Sequence, residues 1–410
     1  MGTKLSLKEK IGYGLGDTAS HFVWDMVGFW ILIFYTDTFG ISAAAAGTIM
    51  LIARVWDMIS DPVMGIIADR TNTRWGKFRP YILWMAVPYS VLAVLTFSTP
   101  DLGPTGKIIY AGVTYFLLMT VFTAINLPYS SLGAVMTSDS YERAGLNSYR
   151  FVFAFIGQLV VTGTALSLAL YFGQGDTALG YQYTLTLFAI ISFALFMITF
   201  KTTKERVKPP KDQQQNLKED LKNLFKNKPW VILFFVGIIS FVMFAMQNLT
   251  IAYYFKYYIG NESDVQLFNV IGTIALILAI PFSKPLAKRF GKRNVFLASS
   301  LSSGLFFMLL YIPGNDNMVS IYILNILAKM TYAPAVPLLW TMIADTADYS
   351  EWKTGRRSTG LTFSAATFAQ KAGWGIGGAL AGWILAFYNF EPNVEQTETS
   401  ITGIKLMISV

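Results

Sequence analysis

The chain contains no cysteine, which excludes disulfides, thiolate nucleophiles and cysteine-ligated metals together. It has one histidine, His21, so a metal cage built from several imidazoles is excluded as well. Charge is also scarce: 14% of the 410 residues are Asp, Glu, Lys or Arg, against about 25% in a soluble globular domain. A Walker phosphate loop, a Gly-x-Ser-x-Gly turn and a His-Glu-x-x-His pair are all missing. Neither an enzyme, nor a resident cofactor, nor an ATP-driven pump is expected.

What replaces charge is apolar bulk, 54% of the chain. It is gathered into runs of the length, roughly 20 residues, that crosses a bilayer core. Spans are read at 11–36, 44–67, 79–98, 108–136, 147–172, 181–201, 229–256, 263–287, 294–313, 317–344 and 358–388. Backbone in lipid must pair within its own segment, so these spans are helices. The expectation is an all-α membrane protein of eleven complete spans, with a twelfth that begins near Ile401 and is incomplete at Val410. The basic stretch Met1–Lys10 leads straight into a full span, so no cleavable signal is read there.

The cations fix an orientation. Lys4, Lys8 and Lys10 precede the first span; Arg70, Arg74, Lys77 and Arg79 follow the second; Arg143 follows the fourth. The series continues through Lys201–Lys228, Lys284–Arg293, and Lys353, Arg356 and Arg357. The alternate loops carry Asp37, Asp101, Asp176, Glu262, Asp264, Asp316 and Glu391. Positive loops stay cytoplasmic, which predicts a multi-pass protein of the bacterial inner membrane with its N-terminus inside. The net charge of +8 thus reflects topology, and no nucleic-acid partner is expected.

The longest inside loop, 202–228, separates an N-terminal six-helix bundle (1–201) from a C-terminal bundle (229–410) truncated in its last helix. It carries Pro209, Pro210 and an amphipathic stretch from Leu217 to Phe225. A weak echo links the halves. Arg74-Trp-Gly-Lys-Phe-Arg79 and Lys288-Arg-Phe-Gly-Lys-Arg293 each set a Gly-Lys turn between basic residues after the second span of their half. Two six-helix repeats describe the major facilitator architecture.

Ionisable groups inside spans are costly and usually face a cavity with a function. The first span carries Asp17, His21 and Asp25 at steps of four, on one helical face. The second carries Arg54, Asp57 and Asp61; Thr123 and Asn126 lie in the fourth, Arg150 in the fifth, Lys329 in the tenth and Lys371 in the eleventh. Two carboxylates one turn apart repel unless a cation sits between them or one holds a proton. That is the chemistry of a coupling-ion site, with Lys371 or Arg150 available to neutralise the pair between ions; the plainer alternative is a permanent salt-bridge cluster. Asp17, near the inner end of its span, could simply tie that end to a basic loop. Asp25 lies deeper and suits substrate contact, and His21 suits substrate or proton contact. Among the aromatics Trp24, Trp30, Tyr129, Tyr149, Trp340 and Trp374, Trp340 is the preferred sugar-stacking ring.

At this point a specific resemblance emerges. Tyr13-Gly-Leu-Gly-Asp17, Phe34-Tyr-Thr-Asp37, Trp56-Asp-Met-Ile-Ser-Asp-Pro62 and Arg74-Trp-Gly-Lys-Phe-Arg-Pro80 occur in order. Asn126-Leu-Pro-Tyr129, Ala344-Asp-Thr-Ala-Asp-Tyr-Ser-Glu351 and the run Gly360 to Lys371 follow. From Lys8 to about Pro392 the chain resembles the glycoside–pentoside–hexuronide:cation symporter family, to which melibiose permease belongs. The resemblance implies a major facilitator fold and cation-coupled sugar uptake by alternating access. It implies a cation site at Asp57, Asp61 and Thr123 with Lys371 nearby, and a sugar-contacting Arg150.

The chain departs from melibiose permease in having Ser20 for lysine, His21 for aspartate, Ser60 for asparagine, Asn126 for aspartate and Ser130 for tryptophan. The sugar site is therefore rebuilt toward the xyloside-type branch, and the altered cation shell, now with Ser60, favours H⁺ over Na⁺ as the coupling ion. Asp25 argues against an anionic hexuronide. The expected substrate is a small glycoside or pentoside such as a xyloside, held by His21, Asp25, Asn126, Arg150 and Trp340. Gating ion pairs are expected among Asp69, Arg70, Arg74, Lys77, Arg79 and the 345–357 loop with Asp345, Asp348, Glu351 and Arg356. The alternative cargo is an amphiphile such as a lysolipid. A membrane sensor or integral enzyme would need a signalling domain or catalytic constellation that the sequence lacks. A monomer is expected.

Overall fold

A computed structural model describes residues 5–137, 140–207, 224–354 and 359–409. It forms two compact units, Met1–Lys211 and Asp212–Val410. Among the described residues every named element is a helix, and eight helices are long and apolar enough to cross a membrane. Most of the 202–228 loop, with its Leu217–Phe225 stretch, lies outside the described residues.

The first unit holds α1 (Leu7–Ile33), α2 (Ala43–Arg70), α3 (Arg79–Thr96), α4 (Pro104–Met136), α5 (Ser140–Gly173) and α6 (Thr177–Thr202). Buried side chains recur around the whole circumference of α1, which packs most extensively on α5 and α6, while α3 is shared between α4 and α6. Close approach depends on small residues. A Cβ on Gly16 would collide with the Tyr129 ring of α4, and one on Gly157 of α5 would meet His21 Cβ at 2.9 Å.

The end of this unit that holds the starts of α1 and α3 is stitched by residues that the sequence did not single out. Ser6 and Glu9 form a capping box at the start of α1, and Arg206 reaches Glu9 at 2.5 Å. Glu205 accepts the backbone N–H groups of Lys77, Phe78 and Arg79 at 2.9, 2.8 and 3.0 Å. These are orphan donors at the N-terminus of α3, where a carboxylate is favoured by both hydrogen bonding and the helix dipole. Glu205→Ala is expected to cost about 1–3 kcal/mol, read as a lower melting temperature of the purified protein.

The second unit holds α7 (Lys228–Tyr253), α8 (Asp264–Ala279), α9 (Ser283–Phe290), α10 (Lys292–Leu309), α11 (Met318–Tyr332), α12 (Ala335–Thr354), α13 (Thr359–Phe387) and α14 (Glu398–Ser409). Here α7 packs on α13, and α11 on α8 and α10. Two predicted spans are interrupted. The 263–287 run breaks at a single 3-10 turn, Ile280–Phe282, and the 317–344 run breaks at Ala333–Pro334. Pro281 and Pro334 each lack an N–H and crowd the carbonyl one turn back. The segment read as a 345–357 loop is helical as far as Thr354, as the end of α12.

The first helix of each unit ends in the same way. A six-residue π-helix follows α1 (Phe34–Phe39) and another follows α7 (Tyr254–Ile259). Each is closed by a left-handed glycine, Gly40 at φ 79° and Gly260 at φ 80°. The positive φ is where glycine alone carries no steric penalty.

Candidate functional site

Three polar clusters lie inside the first unit. On α2, Asp57 is wholly buried, and Arg54, three residues earlier, approaches its Oδ2 at 3.4 Å. The Arg54 guanidinium carbon also lies 4.4 Å from the centre of the Trp24 ring, which is stacked on Phe122 of α4. From α4, Thr123 Oγ1 lies 2.5 Å from Asp57 Oδ1 and 3.2 Å from Asp61 Oδ1. A hydroxyl has one proton to give. That proton is shared between the two carboxylates, so the hydroxyl holds Asp57 and Asp61 close together at one point. Ser60, expected in the cation shell, donates its hydroxyl to the Asp57 carbonyl at 3.2 Å.

The second cluster joins α1 to α5. Arg150 grips Asp17 with two hydrogen bonds, Nε to Oδ2 at 3.0 Å and Nη2 to Oδ1 at 3.3 Å. Its guanidinium stands 5.3 Å from the centre of the Tyr129 ring. Tyr129 and Tyr13 stack at 4.8 Å, and each hydroxyl donates to the other's carbonyl, at 2.6 and 3.4 Å. Two expectations are corrected here. Asp17 is tied to a transmembrane arginine rather than to a basic loop. Arg150 is paired with Asp17, and within the first unit Arg54 stands beside Asp57. The signal for Arg54 was present in its spacing of three from Asp57, which places both on one face.

The third cluster is His21 with Asp25, Nδ1 to Oδ2 at 2.9 Å. The His21 side chain is 27% exposed and that of Asp25 only 6%, so the imidazole stands in front of the carboxylate. On α4, Asn126 accepts from Ser130 at 3.2 Å.

The remaining expected residues are placed as follows. Tyr129 and Trp30 are fully enclosed, which makes them packing residues in this unit. In the second unit Lys371 is half-buried on α13. Trp340 of α12 lines an apolar crevice with Trp230, Phe234 and Leu339. Of the gating residues, Arg70 lies in the last turn of α2 and Arg79 begins α3. Arg79 donates to the Phe200 carbonyl at 2.6 Å, and Arg74 stacks on Trp75 at 4.4 Å. Lys77 gives its backbone N–H to Glu205. Asp345 pairs with Lys292 at 2.6 Å within the second unit, and Asp348 and Glu351 follow it on α12. The side chains of Asp69 and Arg356 lie outside the described residues.

The inner membrane symporter YicJ of Escherichia coli K12 is 36% identical over 410 residues, covering 99% of this chain and 88% of that one. The isoprimeverose transporter of Lactiplantibacillus pentosus is 35% identical over 404 residues, covering 97% and 84%. Among solved structures, the inward-open xylose transporter XylE from E. coli superposes with a TM-score of 0.63 at 14% identity, covering 98% of this chain and 93% of that one, a likeness of fold. Residues 12–410 match the model of one protein family, described as MFS/sugar transport protein. The chain therefore belongs to that family: it is a multi-pass sugar transporter of the major facilitator class, and not an enzyme.

Proposed function

We propose that the protein is a cation-coupled symporter of a small glycoside or pentoside of the xyloside type, with H⁺ as the coupling ion. The observation that carries the coupling is the shared hydroxyl of Thr123, which lies within hydrogen-bond reach of both Asp57 and Asp61 and so gathers two carboxylates at one point inside the bundle. A cation entering there relieves the repulsion. Linkage then requires that ion and sugar each tighten the other's binding by the same factor. The names of the two relatives, a symporter and an isoprimeverose transporter, support the direction and class of transport. The sugar is received by the first unit's His21, Asn126 and Arg150. The basic groups Arg70, Arg74, Lys77 and Arg79, and the acids Asp345, Asp348 and Glu351 of α12, supply the gating charges. The basic loops support a cytoplasmic N-terminus in a bacterial inner membrane.

The test is external pH in lightly buffered cells expressing the protein, on adding a panel of glycosides with and without sodium. Alkalinisation outside the cells on adding one glycoside is expected, independent of sodium. A signal that appears only with sodium would replace H⁺ by Na⁺. No uptake of any glycoside by folded, inserted protein would move the assignment to amphiphilic cargo.

A further inference from the structure

The His21–Asp25 pair is an unusual object for a membrane span. Asp25 is almost enclosed, and among the described residues its recorded hydrogen bond and ion pair are both to His21. A lone carboxylate there would be expensive. With one proton between them, whether as imidazolium and carboxylate or as imidazole and acid, the two side chains are neutral as a unit. Without that proton they are a buried negative charge.

Among the described residues of the first unit, the surroundings do not supply a substitute. On α1 the next acid, Asp17, is bound to Arg150 of α5. On α2, Arg54 is turned to Asp57 and the Trp24 ring. On α3, Tyr89 gives its hydroxyl to the Ser20 carbonyl at 3.2 Å. On α4, Tyr129 is engaged with Tyr13. On α6, Phe188 and Ser192 face α1, and Ser192 donates to the Ala19 carbonyl. Among the described residues of the first unit, Asp17, Arg150 and Arg54 are each matched to other partners, so within this unit the pair balances itself.

We propose that His21 and Asp25 form a resident-proton dyad in the sugar site. Asp25 is the positioning residue: it fixes Nδ1 of the imidazole, leaving Nε2 to face the substrate. The inference rests on the glycoside reading for its ligand, but the dyad itself does not. A sugar that displaces water from Nε2 removes the solvent that would otherwise stabilise the deprotonated, negative form. Sugar and dyad proton therefore favour each other, and glycoside affinity is level while the dyad keeps its proton and falls once it is lost at alkaline pH. A proton retained on both sides of the membrane adds nothing to the driving force. The dyad thus adds a pH dependence of its own to the one that linkage assigns to the α2 coupling proton.

Because His21 is the one histidine of the chain, histidine-selective ¹⁵N labelling, with a histidine-free tag, reports this imidazole alone. In the sugar-free full chain, Asp25→Asn is expected to change both the tautomer and the pH profile of the His21 signals. Identical profiles in the two proteins would overturn the dyad. With methyl β-D-xyloside as probe, the dissociation constant of the wild type is expected to rise by up to about tenfold per pH unit on the alkaline limb. Asp57→Asn, which removes the limb that linkage assigns to the α2 proton, should retain the dyad's limb, and adding Asp25→Asn in that background should flatten it. Loss of the limb in Asp57→Asn would place the proton on α2 and overturn the proposal. Failure of folded wild type to bind the xyloside or any other glycoside, with the ¹⁵N result intact, would sink the glycoside reading and leave the dyad standing.

Discussion

Asp57→Asn is expected to reduce glycoside accumulation from a concentrative ratio to unity. A charge moving down about 100 mV yields about 2.3 kcal/mol. At 1.4 kcal/mol per factor of ten, that drives a gradient of about 40-fold. The neutral side chain keeps the shape of the site and its contact with Thr123, but it ends the repulsion with Asp61 that cation entry relieves. Labelled glycoside uptake into energised vesicles measures the ratio, and counterflow between sugar-loaded vesicles shows that the variant is folded and still exchanges substrate. Concentrative uptake by Asp57→Asn would remove the α2 pair from the coupling step. The neighbouring Arg54 sharpens the expectation. Its charge is balanced by Asp57 in this structure, so in the variant it is left beside Trp24 without that counter-charge, and affinity for any cation at the site falls further.

The second large effect belongs to the α1–α5 pair. Asp17→Ala strands the Arg150 guanidinium inside the bundle, and breaking such a pair costs about 3–5 kcal/mol. Arg150→Met alone strands Asp17 with a similar penalty. The double variant removes both charges, and exchange of an ion pair for apolar side chains is often neutral. Its thermal stability should return most of the way to wild type. Transport should not return, because the guanidinium proposed to touch the sugar is gone. Thermal melting of the three purified variants, with uptake measured in parallel, separates the two roles. Additive destabilisation in the double variant would show that Asp17 and Arg150 do not depend on each other.

The helical, membrane-spanning character was legible because lipid imposes a simple rule on apolar length. The α2 carboxylates were legible because their spacing of four is a local property of a helix. What stayed hidden was contact at long sequence separation. Nothing in the residues around Arg150 announces Asp17, 133 positions away, and nothing around Glu205 announces the start of α3. The end of α12 was misread for a different reason. Hydropathy falls at Asp345, which marks where apolar composition stops, whereas the helix needs only its own hydrogen bonds and runs on to Thr354. Conversely, Pro281 and Pro334 were visible but sat in stretches apolar enough to read as unbroken spans.

The matched π-turns after α1 and α7 bear on ancestry. From the glycine that closes each π-turn to the end of the following helical stretch, both halves spend thirty residues, 41–70 and 261–290. Beyond that point the count diverges. The second half proceeds directly to Gly291-Lys292, while the first inserts Thr71–Trp75 before Gly76-Lys77. The two halves keep an irregular helix end of the same length, six residues closed by a glycine, although no position of Phe34–Phe39 carries the same amino acid as its counterpart in Tyr254–Ile259, and that shared length serves as a ruler. Against that ruler the five extra residues, which bring Arg74 and Trp75, read as a later acquisition or a loss on one side only. Exchanging that loop between the halves would then alter a feature that belongs to one descendant copy and leave the inherited frame untouched.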